Sequence, residues 1–170
     1  MRQATLADVS ILEYWDTQPH VMDSDPKGDW NWEKELAQEP FWRSQWIAEL
    51  EGHPIGMVQI IDPHFEETHY WGEIGLGYRA IDIWIGEEKH IGKGYGTQMM
   101  VYALGYCFQS PDVHTVLIDP LETNTKAIRF YKRLGFEWLE NRVFDGDACQ
   151  VLKITRDRFF SLHILSQKLT

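Results

Sequence analysis

Apolar positions Leu6, Val9, Leu12 and Trp15 recur at three- and four-residue spacing behind Thr5, which predicts a capped amphipathic helix over Leu6–Asp16. Too little chain precedes Thr5 for a full strand. From Gln18 to Asn31 the period disappears among Pro, Gly and Asp, the pattern of a long loop of the kind that often carries binding residues. A short helix is expected over Glu33–Gln38. Two strand-like runs, Gln45–Glu51 and Pro54–Asp62, meet at the turn signal Glu51-Gly52-His53 and predict an antiparallel hairpin.

The polar stretch Pro63–Gly77 leads into Tyr78–Ile85, which alternates as a half-buried strand does and ends at Gly86. Met99, Met100, Ala103, Leu104, Cys107 and Phe108 then repeat at three and four, predicting a helix over Thr97–Gln109. A strand over Thr115–Asp119 precedes a helix over Thr125–Leu134, capped by Thr123 or Asn124 and stopped by Gly135. Phe136–Phe144 and Ala148–Thr155, joined at Asp145-Gly146, predict a closing hairpin, and Arg156–Leu169 is expected to be helical. Hairpins flanking one strand-helix-strand crossover imply an α/β (α+β) fold, with a mixed central sheet and helices on both faces.

The 170 residues suit a single domain over 1–170, and 44% hydrophobic with eight Trp is far too apolar for a disordered chain. Sixteen Lys+Arg against 26 Asp+Glu give a formal charge of −10. That balance opposes nucleic acid or an anionic membrane as partner and favours neutral or cationic small molecules. Cys107 and Cys149 form no Cys-x-x-Cys pair, so neither a disulfide framework nor a zinc knuckle is signalled. No run approaches the ~18–20 apolar residues of a spanning helix, and MRQATLAD lacks a signal-peptide core. A reduced, cytoplasmic setting is expected, as monomer or homodimer. His64 and His69 flank Glu66-Glu67 at a spacing that fits no metal motif, so no metal is expected.

Ile91-Gly92-Lys93-Gly94-Tyr95-Gly96-Thr97 follows a strand and opens a helix, so its N–H groups can converge on an anion at the helix's positive end. It lacks the Gly-Lys-Ser/Thr of nucleotide hydrolases and the Gly-x-Gly-x-x-Gly order of dinucleotide folds. Downstream, Asn124, Ile128 and Tyr131 fall on one helical face, while Lys126, Arg129 and Lys132 point elsewhere.

Strand, Gly turn, amphipathic helix, a strand ending in Asp119-Pro120, then Asn124, Ala127, Tyr131 and Gly135-Phe136 together resemble the GCN5-related N-acetyltransferase (GNAT) superfamily. The resemblance implies a V-shaped split between two parallel strands that holds acetyl-coenzyme A as cosubstrate. It places the thioester and pantetheine along Ile83, Trp84 and Ile85, pyrophosphate on Gly92–Thr97, and pantetheine contacts at Asn124 and Ala127. Ile91 stands where the superfamily usually has Gln or Arg.

Acetyl transfer to an amine needs a neutral amine, a polarised carbonyl and a proton for the departing thiolate. Asp82 interrupts an apolar strand just before the expected thioester site and is the candidate base; Tyr131 is the candidate acid. Bland readings stand beside both: an Asp facing water, and a half-buried core tyrosine. Gly77–Asp82, Ile118-Asp119-Pro120, Phe144-Asp145-Gly146, Gly52-x-Pro54-Ile-Gly56 and Tyr70-Trp71 are further similar to aminoglycoside 6'-N-acetyltransferases. That likeness implies Asp82 as base, Tyr131 as acid and Asp119 as a ligand of ammonium groups, with Asp145 in the matching acceptor motif.

Between Asp62 and Glu88 seven acids, Glu73 among them, stand against Arg79 alone, which suggests an acidic slot for a polycation. Tyr70, Trp71, Trp30 and Trp32 offer rings either to stack on sugars or to pack a core. Asp23-Ser24-Asp25 replaces the paired Trp of the resistance enzymes and so bears on the acceptor pocket. Hydroxylysine-type siderophore precursors, polyamines and a non-catalytic coenzyme A-binding module remain the alternatives.

Overall fold

The structure, a computed structural model, describes residues 1–26, 28 and 30–167, with side chains through residue 162. Its elements are β1 (Arg2–Gln3), α1 (Val9–Asp16), α2 (Pro19–Met22), α3 (Trp32–Ala37), β2 (Arg43–Leu50), β3 (His53–Ile61) and β4 (Tyr78–Ile85). There follow α4 (Tyr95–Cys107), β5 (Thr115–Ile118), α5 (Thr125–Arg133), β6 (Glu137–Phe144), β7 (Asp147–Thr155) and α6 (Arg156–Gln167). The strand order is β1-β2-β3-β4-β5-β7-β6, a mixed seven-stranded sheet. Only β4 and β5 run parallel among the strand pairs with an established register, through Tyr78↔Thr115, Arg79↔Val116 and Ala80↔Leu117.

The chain divides into two compact units, Met1–Ile61 with Asp82–Ala103, and Asp62–Ile81 with Leu104–Thr170. Both are discontinuous, because β4 crosses from the second to the first after Ile81.

In the first unit, β2 and β3 turn at Glu51 and Gly52, whose φ angles of 52° and 80° are the two left-handed positions of a type I′ hairpin. The core joins Leu12, Trp15, Trp32, Leu36, Ile47 and Met57. The predicted first helix divides: Leu6–Asp8 is a single 3-10 turn, and the α-helix begins at Val9. Leu6, expected on its buried face, is 55% exposed, since the tighter turn rotates it off the Leu12/Trp15 stripe. Asp8 anchors this corner by accepting from Thr5 N–H and pairing with Arg2, and the Arg2 hydrogen bonds hold its carboxyl below the ordinary range despite burial.

In the second unit, β5 pairs antiparallel with β7 and β7 with β6. Val116, Leu117, Ile118, Val151, Leu152 and Ile154 are all buried. Asn124, the one of two predicted caps that is used, accepts from Ala127 N–H at the start of α5. At its end Phe136 N–H bonds Tyr131 C=O and Gly135 N–H bonds Lys132 C=O, a Schellman closure that needs Gly135 at φ 97°. Arg156 donates to the carbonyls of Phe108, Ser110 and Val113, satisfying the chain that leaves α4. The end of the predicted last helix beyond Gln167 lies outside the described residues.

Candidate active site

The first unit holds Asp82, half-buried on β4. Its Oδ2 accepts from Gln59 Nε2 at 2.9 Å, and Gln59 Oε1 accepts from Gln45 Nε2 at 2.8 Å. The same stretch of β4 carries Ile83, Trp84 and Ile85. His20 Nε2 lies 2.8 Å from the Ile85 carbonyl, and Gly86 N–H donates to Ile55, so this end of the strand is tied from two sides.

Past a 3-10 turn at Glu88–His90, Gly92 and Gly94 take φ angles of 75° and 86°. Neither has a neighbour that a side chain would strike, so glycine is required there for backbone conformation alone. Helix α4 begins two residues earlier than its apolar period suggested, at Tyr95, because Gly96 joins the helix rather than the turn. Gln98 N–H makes the bond to Gly94 C=O, so the N–H groups of Tyr95, Gly96 and Thr97 precede the helical ladder. Ile91, Gly92, Lys93, Gly94 and Thr97 are exposed, and the segment presents donors and a positive dipole end to solvent. The apolar side chain of Ile91 adds no donor.

The second unit holds Tyr131, half-buried on the face of α5 that also carries buried Ile128, while Lys126, Arg129 and Lys132 are exposed as expected. The Tyr131 ring packs 5.1 Å from Phe130 and edge-on at 5.8 Å from Phe136. Ala127 is half-buried, and Asn124 spends its Oδ1 on the helix cap. Asp119, at the end of β5, accepts from the Tyr70 hydroxyl at 2.7 Å. Tyr70 stacks on Phe144 at 4.5 Å and 10°, and Trp71 meets both rings edge-on. Arg142 completes this cluster by donating to the Trp71 carbonyl and lying over Phe144. Trp71 is only 6% exposed, so its ring packs a core; Tyr70 is the ring of the pair that reaches solvent.

The expected acidic slot is less uniform than charge counting implied. Asp62 is paired with Arg79, and Glu87 with Lys89. Glu66 is buried: burial pushes its carboxyl up, but N–H bonds from Thr68 and Tyr70 outweigh this and leave it below the ordinary range. Glu73 and Asp145 are exposed, the latter in a turn at φ 47°. Asp23 and Asp25 are exposed near α2, with Asp25 accepting from Trp30 Nε1. Trp32 is buried and stacks on Trp30 at 5.2 Å, which makes it a core ring and not a sugar platform. Among the described residues no group of three His, Cys, Asp or Glu could hold a metal ion, and no helix is long and apolar enough to cross a membrane.

A family model described as "Acetyltransferase (GNAT) domain" matches residues 4–144. The chain belongs to the GNAT acetyltransferase family. This GNAT domain is 35% identical over 103 residues to aminoglycoside N(6')-acetyltransferase type 1 of Klebsiella pneumoniae, covering 60% of this chain and 50% of that protein. It thus spans about half the length of the curated relative it matches. It is 26% identical over 105 residues to spermine/spermidine N(1)-acetyltransferase of Bacillus subtilis, covering 61% of this chain and 66% of that protein. Among solved structures, aminoglycoside acetyltransferase AAC(6')-Ib in complex with coenzyme A and kanamycin superposes with a TM-score of 0.84. Identity there is 27%, and 94% of this chain and 96% of that one are covered.

Sequence reasoning missed Gln45, Gln59 and His20 in this GNAT domain. The signal for Gln59 was present, since it is the one polar residue in the run Ile55–Ile61 and it is buried, whereas Gln45 shares its strand with Arg43, Ser44 and Glu49 and did not stand out. His20 gave no signal, since its partner is a backbone carbonyl 65 residues away.

Proposed function

We propose that this chain transfers the acetyl group of acetyl-coenzyme A to a primary amine of a small polycation, and specifically to the 6'-amine of an aminoglycoside. The observation that carries this reading is the presence, in one compact unit, of an anchored carboxylate on β4 and an exposed donor turn at the head of α4. The donor turn suits the diphosphate of coenzyme A: left-handed Gly92 and Gly94 aim successive N–H groups outward, and the dipole of α4 adds to them. The aminoglycoside relatives support the choice of acceptor, and an acidic protein at −10 suits a polycation.

In this reading an amine arrives as ammonium, which neighbouring carboxylates favour. Asp82, directly or through water, takes its proton, and the nitrogen lone pair attacks the thioester carbonyl. The C–S bond breaks as the C–N bond forms, Tyr131 gives its phenolic proton to the thiolate, and the second proton that the nitrogen loses on becoming an amide passes through solvent to restore the phenol. Asp119, together with the Tyr70 hydroxyl, binds other ammonium groups of the acceptor. Asp23, Asp25, Glu73 and Asp145 are exposed acids available to the same polycation.

The deciding measurement is thiol release from acetyl-coenzyme A with kanamycin, tobramycin, spermidine and hydroxylysine as separate acceptors. Turnover is expected with the aminoglycosides. Turnover of spermidine alone would move the chain to polyamine acetylation, and turnover of hydroxylysine alone would reject the aminoglycoside assignment. Tyr131→Phe is expected to lower kcat about 100-fold, within the usual range for general acid catalysis, with the KM for acetyl-coenzyme A unchanged. An undiminished kcat would remove the acid role.

A further inference from the structure

Gln45 and Gln59 face each other directly in the β2/β3 register, and both are more than 90% buried. A buried amide pair away from water is costly unless its donors and acceptors are matched, so such a pair persists where its orientation matters. An ionised carboxylate can only accept. Gln59 must therefore present Nε2 to Asp82, which leaves Oε1 to be satisfied from the other side. Gln45 Nε2 does that.

We infer that Gln45 is a positioning residue for acetyl transfer: by donating to Gln59 Oε1 it locks the Gln59 amide with its NH2 toward Asp82. This rests on the reading of Asp82 as the proton acceptor. Without Gln45's donor, the Gln59 amide is free to turn over and direct its carbonyl at the carboxylate. Carbonyl against carboxylate is repulsive, and Asp82 loses the Gln59 donor that helps to aim it at the acceptor amine.

The donor requirement makes the order of two variants diagnostic. Gln45→Met removes the donor but imposes no orientation. Gln45→Glu keeps the shape and, when ionised, offers only acceptors, so in that form it pulls the Gln59 NH2 away from Asp82. The test records the side-chain amide resonances of Gln59 by 1H–15N NMR, assigned through Gln59→Met. It also measures kcat and both KM values with kanamycin for each folded variant.

Expected are a moved Gln59 amide signal in both Gln45 variants and a kcat reduced about 5-fold in Gln45→Met and at least 30-fold in Gln45→Glu. The KM for acetyl-coenzyme A should stay unchanged. A purely structural role would lower thermal stability and leave kcat per folded molecule intact in both, which would overturn the inference. Unmoved Gln59 resonances would overturn it without any turnover being needed. Should the resonances move while kcat holds, the catalytic consequence fails, and Asp82→Asn then reports whether the fault lies in the base assignment itself. If Gln45→Glu does not fold, Gln45→Met alone decides between these outcomes.

Discussion

Asp82→Asn is expected to slow acetyl transfer to kanamycin by about 10²–10⁴-fold, the range general base catalysis commonly contributes, equivalent to about 3–5 kcal/mol of barrier. The substitution is nearly isosteric. Asn Oδ1 can still accept from Gln59 Nε2, so the amide chain from Gln45 is retained and the fold should be undisturbed. Loss of rate with unchanged thermal stability and unchanged KM for acetyl-coenzyme A separates the loss of a base from the loss of a strand. The defect should be largest at neutral pH, where the acceptor amine is protonated, and should shrink as pH rises and the amine loses its proton unaided. Full activity in Asp82→Asn at neutral pH would reject Asp82 as base and leave the acceptor to deprotonate through solvent.

The second large effect concerns stability. Gly86 follows β4 directly, and a Cβ there would lie 2.0–2.2 Å from three atoms of the Trp15 indole. Trp15 is 0% exposed and cannot retreat, because Leu12, Trp32, Leu36, Ile47 and Met57 surround it. Gly86→Ala is therefore expected to destabilise by about 3 kcal/mol, the upper part of the range for overpacking a filled core. Gly105→Ala is the matched control. It lies within α4, has no atom within 4 Å of its would-be Cβ, and is expected to stabilise by about 0.5–1 kcal/mol through helix propensity. Urea unfolding of both variants reads the difference directly. Equal stabilities would mean that Trp15 and Gly86 are not in close contact.

Trp15 and Gly86 also show how far periodicity carries. The spacing of Leu12 and Trp15 announced a buried helical stripe, and both are fully buried. It equally included Leu6, which a 3-10 turn moves to the surface, because a period defined over a dozen residues is blind to one tighter turn at the end. Strand limits came within a residue or two wherever a glycine with forced φ marked the turn, at Gly52 and Gly146. The limit of α4 shifted where glycines are ambiguous: Gly92 and Gly94 adopt left-handed φ, Gly96 does not, and nothing local distinguishes them.

The chemistry-bearing residues divide the same way. Asp82 and Tyr131 stood out as a charge within an apolar strand and a phenol on a helical face, both local signals. So did the donor turn at Gly92–Thr97. Their pairings were not legible. Gln59 holds Asp82 across 23 residues, Tyr70 donates to Asp119 across 49, and Arg142 reaches the Trp71 carbonyl across 71. Charge counting had grouped seven acids as one slot, whereas Asp62, Glu66 and Glu87 are each engaged by neighbours.

By itself, then, the order of residues determined what is read over three to ten positions: most of the helices and strands, though not α2 inside the expected loop Gln18–Asn31, where the turns fall, and which side chains can carry a proton or bind an anion. Those properties depend on local sterics and on periods of two and 3.6. Tertiary structure alone decided which aromatic rings are core and which reach solvent, which acids are already paired, and that two buried glutamines stand behind Asp82. Such facts arise from contacts across tens of residues, and the register of a strand pair, not the pattern within either strand, sets them.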